Sequence, residues 1–137
     1  RRGDAGGTLL FMAPEQFHDY RFVKPPADLY AVGITYYYLL TGRLPFHFPS
    51  PLDRALGRLA GREFKDAIRI VLEDSPIPVQ DQDRRIPREL ASVVDRSIRK
   101  AHQQRYQSAA EMRGAIERAC GLGTYAREEP NPEGGGR

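Results

Sequence analysis

The sequence predicts a mainly α-helical domain, with four or five helices arranged around one apolar helix, and three observations carry that reading. Apolar residues recur at the spacing of a helix face in several separate stretches. Residues that start and stop helices stand at the ends of those stretches. No pattern of alternating apolar and polar residues supports a multi-stranded sheet.

The central element is Asp28-Leu-Tyr-Ala-Val-Gly-Ile-Thr-Tyr-Tyr-Tyr-Leu-Leu-Thr-Gly42. Asp28 can cap a helix and Gly42 stands where helices commonly stop. Apolar and aromatic side chains cover every face between them, which predicts a helix surrounded by other elements. Its three consecutive tyrosines require polar partners for their hydroxyls.

Upstream, residues 1–7 are polar and glycine-rich and read as a loop. The run from Thr8 to Met12 is apolar, and Pro14 suits the first position of a short helix with Glu15 in its first turn. Lys24-Pro25-Pro26 reads as a stiff extended approach. After Gly42, Arg43-Leu-Pro-Phe46 predicts a turn that returns an aromatic ring to the core. Leu52, Ala55, Leu56 and Leu59 lie at helical spacing, and residues 63–72 form an amphipathic helix with Phe64, Ala67, Ile68, Val71 and Leu72. Residues 73–85 read as a connecting loop. Pro87 opens the next helix, whose stripe is Leu90, Val93, Val94, Ser97, Ile98 and Ala101. Ser108-Ala-Ala-Glu111 is a capping box that opens the last helix, with Met112, Ala115, Ile116 and Ala119 on one face and Gly121 as its stop. Residues 121–137, rich in Gly, Pro and Glu, predict a disordered tail.

Composition narrows the function classes. The chain has 137 residues, enough for one core and too few for two. The net charge of +3 arises from 21 basic and 18 acidic residues with interleaved signs, so nucleic acid is not an expected partner. Cys120 is the single cysteine: no internal disulfide is available, and at the end of an amphipathic helix it reads as a small buried residue. His18, His47 and His102 lack metal-ligand spacing. There is no nucleophile elbow and no phosphate loop with its lysine; Gly3-Asp-Ala-Gly-Gly7 has only the glycines. No stretch has the ~20 apolar residues of a membrane span. The chain begins Arg1-Arg2-Gly3-Asp4 without a methionine, which reads as a fragment, a processed product or a misplaced start.

The order of motifs resembles the C-terminal lobe of eukaryotic-like serine/threonine protein kinases, particularly the bacterial branch. Gly7-Thr8-Leu-Leu-Phe-Met-Ala-Pro-Glu-Gln16 is similar to the end of the activation segment with its Ala-Pro-Glu signature. Asp28-Leu-Tyr-Ala-Val-Gly33, then Leu39-Leu40-Thr41-Gly42 and Pro45-Phe46, resembles the central helix of that lobe and the turn after it. Arg105-Tyr-Gln-Ser-Ala-Ala-Glu-Met112 resembles the segment before the final helix, although Ala101-His102 stands where the family often has Asp-Pro.

The resemblance implies roles. Glu15 would pair with Arg105 in a buried charge-assisted bond that anchors the activation segment. Asp28 would cap the central helix and hold the backbone of the catalytic loop. Thr8 would touch the catalytic aspartate and lysine, and Leu9, Leu10 and Phe11 would shape the pocket for the residue after the phosphoacceptor. The fold implied is the helical C-terminal part of the kinase fold, without the N-terminal β lobe and the catalytic loop. Residues 1–16 would be the end of the activation segment and 17–120 the helical subdomain. The nucleotide- and magnesium-binding parts of the family would all precede Arg1, so the chain itself is expected to hold no cofactor and no catalytic residue, with ATP and Mg2+ serving the intact kinase. Expected partners are proteins bearing Ser or Thr and the N-terminal part of the kinase, in the cytoplasm or on the cytoplasmic side of a membrane-anchored parent. An apolar helix without its packing partners further predicts marginal stability or self-association. The alternative reading is a stand-alone, non-catalytic binding or regulatory module.

Overall fold

The structure, a computed structural model, describes residues 10–19, 21, 24–48 and 65–122. The loop at residues 1–7, Thr8, Leu9, the apolar stripe at residues 52–59 and the tail beyond Leu122 lie outside the described residues. Among the described residues, five α-helices and two short 3-10 turns follow in the order Pro14–Phe17 turn, α1 (Pro25–Thr41), α2 (Lys65–Glu73), α3 (Val79–Gln82), α4 (Arg88–Ser97), His102–Gln104 turn and α5 (Ala109–Ala119). Among the described residues there is no strand.

Helix α1 begins at Pro25 rather than at Asp28. Lys24 is extended (φ −112°, ψ 153°), the conformation a following proline imposes, and Pro25 and Pro26 then occupy the first helical positions. Asp28 therefore does not cap the helix; it lies exposed in the first turn, where its charge meets the positive end of the helix dipole. The far end matches expectation: Gly42 is left-handed (φ 67°) and its N–H reaches the Tyr38 carbonyl.

The helix is not enclosed on every side. Leu29, Tyr30, Gly33, Ile34 and Tyr37 are buried, whereas Val32, Tyr36, Tyr38 and Leu39 are exposed, Leu39 at 72%. An apolar helix reads as buried all round from sequence, but here the described elements cover one face. Of the three consecutive tyrosines, Tyr37 alone turns inward, and its hydroxyl donates to the Ile77 carbonyl at 2.7 Å.

Helix α4 crosses α1 where glycine permits close approach. A Cβ added at Gly33 would fall 2.8 Å from Ile98 Cγ2 and 2.9 Å from Ser97 Cβ, tighter than van der Waals contact. The core grows from this crossing: Ala13, Ala27, Tyr30, Ile34 and Tyr37 pack with Val79, Ile86, Ala91, Val94 and Ile98. A second cluster joins Leu29 and Val93 to Tyr106 and Met112, with Ala115, Ile116 and Ala119 of α5 against it. Pro87 proves to be the residue before α4, not its first. Phe46 is buried, as its turn predicts.

Helix α3 lies in the stretch expected to be a loop. One turn is too short to show periodicity, and its support comes from a distance: Asp95 Oδ1 accepts the Val79 N–H at 2.9 Å. Burial pushes the Asp95 carboxyl above its usual range, and the Val79 N–H pulls it back. Asp95→Ala is expected to cost about 1–2 kcal/mol, the loss of a helix cap, measured by urea denaturation.

In α5, Ser108 Oγ accepts from the Glu111 N–H at 3.1 Å, as expected of a cap. Glu111 reaches past Ser108, however, to the Gln107 N–H at 2.8 Å, and its other oxygen meets Arg96 at 3.0 Å. Cys120, the residue that follows α5, is exposed rather than buried.

Candidate functional site

The segment that ends at Glu15 is tied to the helices by one buried arginine. Glu15 lies in the Pro14–Phe17 turn, which Pro14 opens at its first position and which the Gln16 side chain closes by accepting the Ala13 N–H at 2.9 Å. Arg105 follows the His102–Gln104 turn in extended conformation, and the side chain is 0% exposed. Ninety residues apart, the two meet in a bidentate fork: Nη1 donates to Glu15 Oε1 at 2.7 Å and Nη2 to Oε2 at 2.8 Å. Nη1 also donates to the Pro26 carbonyl at 3.2 Å, Nη2 to the Lys100 carbonyl at 2.9 Å, and Nε to the Arg99 carbonyl. All five N–H donors of the guanidinium are thus in use. Pro26 is the second residue of α1 and Arg99 and Lys100 follow α4, so one side chain clamps the turn, α1 and the end of α4 together.

Burial pushes the Glu15 carboxyl up, but the Arg105 hydrogen bonds, a bond to its own backbone and the Arg105 charge outweigh that and leave it lowered from its usual 4.5. A carboxyl lowered on folding stabilises the fold above its unfolded value and loses that contribution as pH falls through the folded one. The chain is therefore expected to lose stability below pH ~4.5 more steeply than Glu15→Gln does. Urea midpoints measured between neutral pH and pH ~3 check this, and parallel curves for the two proteins would contradict it.

Beside the anchor runs an apolar groove of about 560 Å³, lined by Phe11, Ala31, Val32, Thr35, Tyr36 and Leu39. Phe11 is partly exposed there, and Leu10, the residue before it, is half-buried. The Thr35 hydroxyl donates to its own helix at Ala31 O, 2.9 Å away, and the Tyr36 side chain is the other polar-tipped one in the lining. Of the site residues expected from sequence, Phe11 lines this groove, Leu10 precedes it in the chain, Glu15 and Arg105 are joined, Asp28 lies apart on the surface, and Thr8 and Leu9 lie outside the described residues. Sequence reasoning missed Tyr30, whose ring carries the Arg105 guanidinium, and Gly33, which lets α4 approach. Both stand inside Asp28-Leu-Tyr-Ala-Val-Gly33, so the signal was the segment already singled out for other reasons.

Among the described residues no group of three or more His, Cys, Asp or Glu could hold a metal ion. No described helix is long and apolar enough to cross a membrane.

No protein-family model matches the chain. Individual proteins do. It is 33% identical over 107 residues to the serine/threonine-protein kinase PksC of Streptomyces coelicolor, covering 78% of this chain. It is 31% identical over 110 residues to the serine/threonine-protein kinase PknB of Mycobacterium leprae, and 30% over 112 residues to PknB of Mycobacterium tuberculosis, covering 80% and 82% of this chain. The chain spans 17%, 15% and 16% of the length of these three relatives. The helical architecture of the described residues, which include no strand, fits the C-terminal lobe that its motifs resemble. The chain belongs to the serine/threonine protein kinases, as a helical stretch of their C-terminal lobe.

Proposed function

We propose that this chain supplies the substrate-docking shelf and the scaffold beneath the active site of a serine/threonine protein kinase. The observation that carries the reading is the fully bonded Glu15–Arg105 pair, which fixes the segment from Leu10 to Glu15 against α1. A shelf that positions a peptide must not drift, because a small misplacement of a bound substrate costs rate heavily. In the intact kinase, Thr8 to Phe11 would face the protein substrate and Asp28 would hold the catalytic loop's backbone. The exposed face of α1 would pack against the part of the kinase that precedes this chain, on the cytoplasmic side.

Phosphoryl transfer needs groups that hold a nucleotide and magnesium. The groove is apolar and lined by no cation, and no acidic cluster of three stands among the described residues, which supports leaving these ligands to the rest of the kinase. No step through ATP or Mg2+ is assigned to this chain, which is proposed to be inactive alone.

The test is a chimera in which residues 10–122 replace the matching stretch of the Mycobacterium tuberculosis PknB kinase. Magnesium-dependent phosphorylation of a Ser/Thr substrate is expected to persist within about tenfold of the parent, or ~1.4 kcal/mol in barrier. A folded chimera with no transfer would contradict the reading.

One observation favours a second reading, a stand-alone binding module: the groove is open in the chain as folded. The size of the native polypeptide separates the two. A product near 15.5 kDa supports the module, and a much larger one supports the kinase.

A further inference from the structure

The edge of the Arg105 guanidinium is occupied by five hydrogen bonds, and its central carbon lies over the Tyr30 ring. Arg105 Cζ lies 4.8 Å from the centre of the Tyr30 ring, and both residues are 0% exposed. Bonds made in the plane of a guanidinium fix its position along that plane but resist tilting weakly. A ring beneath the plane opposes the tilt, and its negative face attracts the cation most strongly where water is excluded.

The hydroxyl of Tyr30 does nothing comparable. It is buried and has no hydrogen-bond partner among the described residues, a condition that ordinarily destabilises. Burial pushes its ionisation well above the usual phenol range, so the ring stays a neutral phenol at any accessible pH. What the side chain offers Arg105 is its π face.

We propose that Tyr30 is the positioning residue of the Glu15–Arg105 anchor: its ring sets the plane in which Arg105 presents both terminal nitrogens to Glu15, and its hydroxyl has no part in this. The inference rests on the anchor's geometry and stands whether or not the groove serves a kinase substrate. The molecule contains its own control. Arg96 lies over the Tyr106 ring at 4.3 Å, closer than the buried pair, but its side chain is 40% exposed and water weakens the attraction.

The experiment places phenylalanine, and phenylalanine bearing one, two or three ring fluorines, at position 30 of the full 137-residue chain. Fluorine drains the ring's negative face while nearly preserving its shape. Phenylalanine is expected to fold at least as favourably as tyrosine, since the orphan hydroxyl is gone. Across the fluorinated series the folding equilibrium constant is expected to drop stepwise, about fivefold in all. The midpoint of the Glu15 carboxyl, followed by carbon-13 NMR, should climb towards the ordinary 4.5 in the same order. The same series at Tyr106 should give a shallower slope. A flat series at position 30 in both readouts would mean that the ring acts by shape alone and would overturn the proposal. So would a phenylalanine variant that weakens the anchor, or a steeper slope at Tyr106 than at Tyr30.

Discussion

Glu15→Ala is expected to destabilise the chain by about 3–5 kcal/mol, a large share of the total for a domain of this size. The smaller partner is the costlier one to lose in electrostatic terms. Glu15 is 15% exposed and could be hydrated if Arg105 were removed, whereas Arg105 is fully enclosed and cannot be. Deleting the carboxylate strands a buried guanidinium without its counter-ion. Arg105→Ala reaches a similar loss by another route, leaving the carbonyls of Pro26, Arg99 and Lys100 without this donor and a cavity where the side chain stood. Arg105→Lys should rescue little, because one ammonium cannot fork to both oxygens and fill three carbonyls. Urea denaturation of the parent and these variants ranks the losses; a Glu15→Ala loss below ~1 kcal/mol would show that the pair is a surface-type bridge.

The second large effect is expected at the helix crossing. Gly33→Ala raises intrinsic helix propensity by about 1 kcal/mol, so an isolated helix would gain. In the folded chain the new methyl meets Ile98 Cγ2 and the Cβ of Ser97, and the latter is fixed to the α4 backbone. Overpacking of this kind typically costs about 1–3 kcal/mol, which wins over the propensity gain. Gly33→Val should be worse, since the branched side chain adds bulk at the same contact. Ser97→Ala in the Gly33→Ala background should recover part of the loss, because the Ser97 hydroxyl also stands in the methyl's way. A Gly33→Ala protein that melts higher than its parent would show that α1 and α4 can separate without penalty.

Helices α4 and α5 were legible in the sequence because each carries an apolar stripe with a proline or a capping box before it, and α1 because its apolar run ends at Gly42. Asp28 misled because Pro25-Pro26 reads equally as an extended approach or as a helix start, and only the extended backbone of Lys24 decides. Helix α3 was illegible: a single turn has no period, and its cap, Asp95, comes from another helix. The apolar character of α1 was plain, but hydrophobicity does not say whether the partner of each face lies within the same folded piece. Val32, Tyr36 and Leu39 are exposed, so one face of α1 is left uncovered by the described elements. The site was legible only in part. Nothing in the residues themselves pairs Glu15 with Arg105 across ninety positions; the pairing was implied by resemblance, and in the fold the two side chains lie 2.7 Å apart. Tyr30 was invisible as a platform because a buried tyrosine ordinarily signals a hydroxyl partner, and none stands among the described residues.

The most direct measurement of the anchor is a double-mutant cycle on Glu15→Gln and Arg105→Gln, with urea denaturation of the parent, both single variants and the double variant. A fork buried at 2.7 and 2.8 Å should give a coupling of about 2–3 kcal/mol, so that the double variant is far less damaged than the sum of the singles. A coupling below ~0.5 kcal/mol, with additive losses, would mean that the two residues act independently and that the segment ending at Glu15 is held by something else.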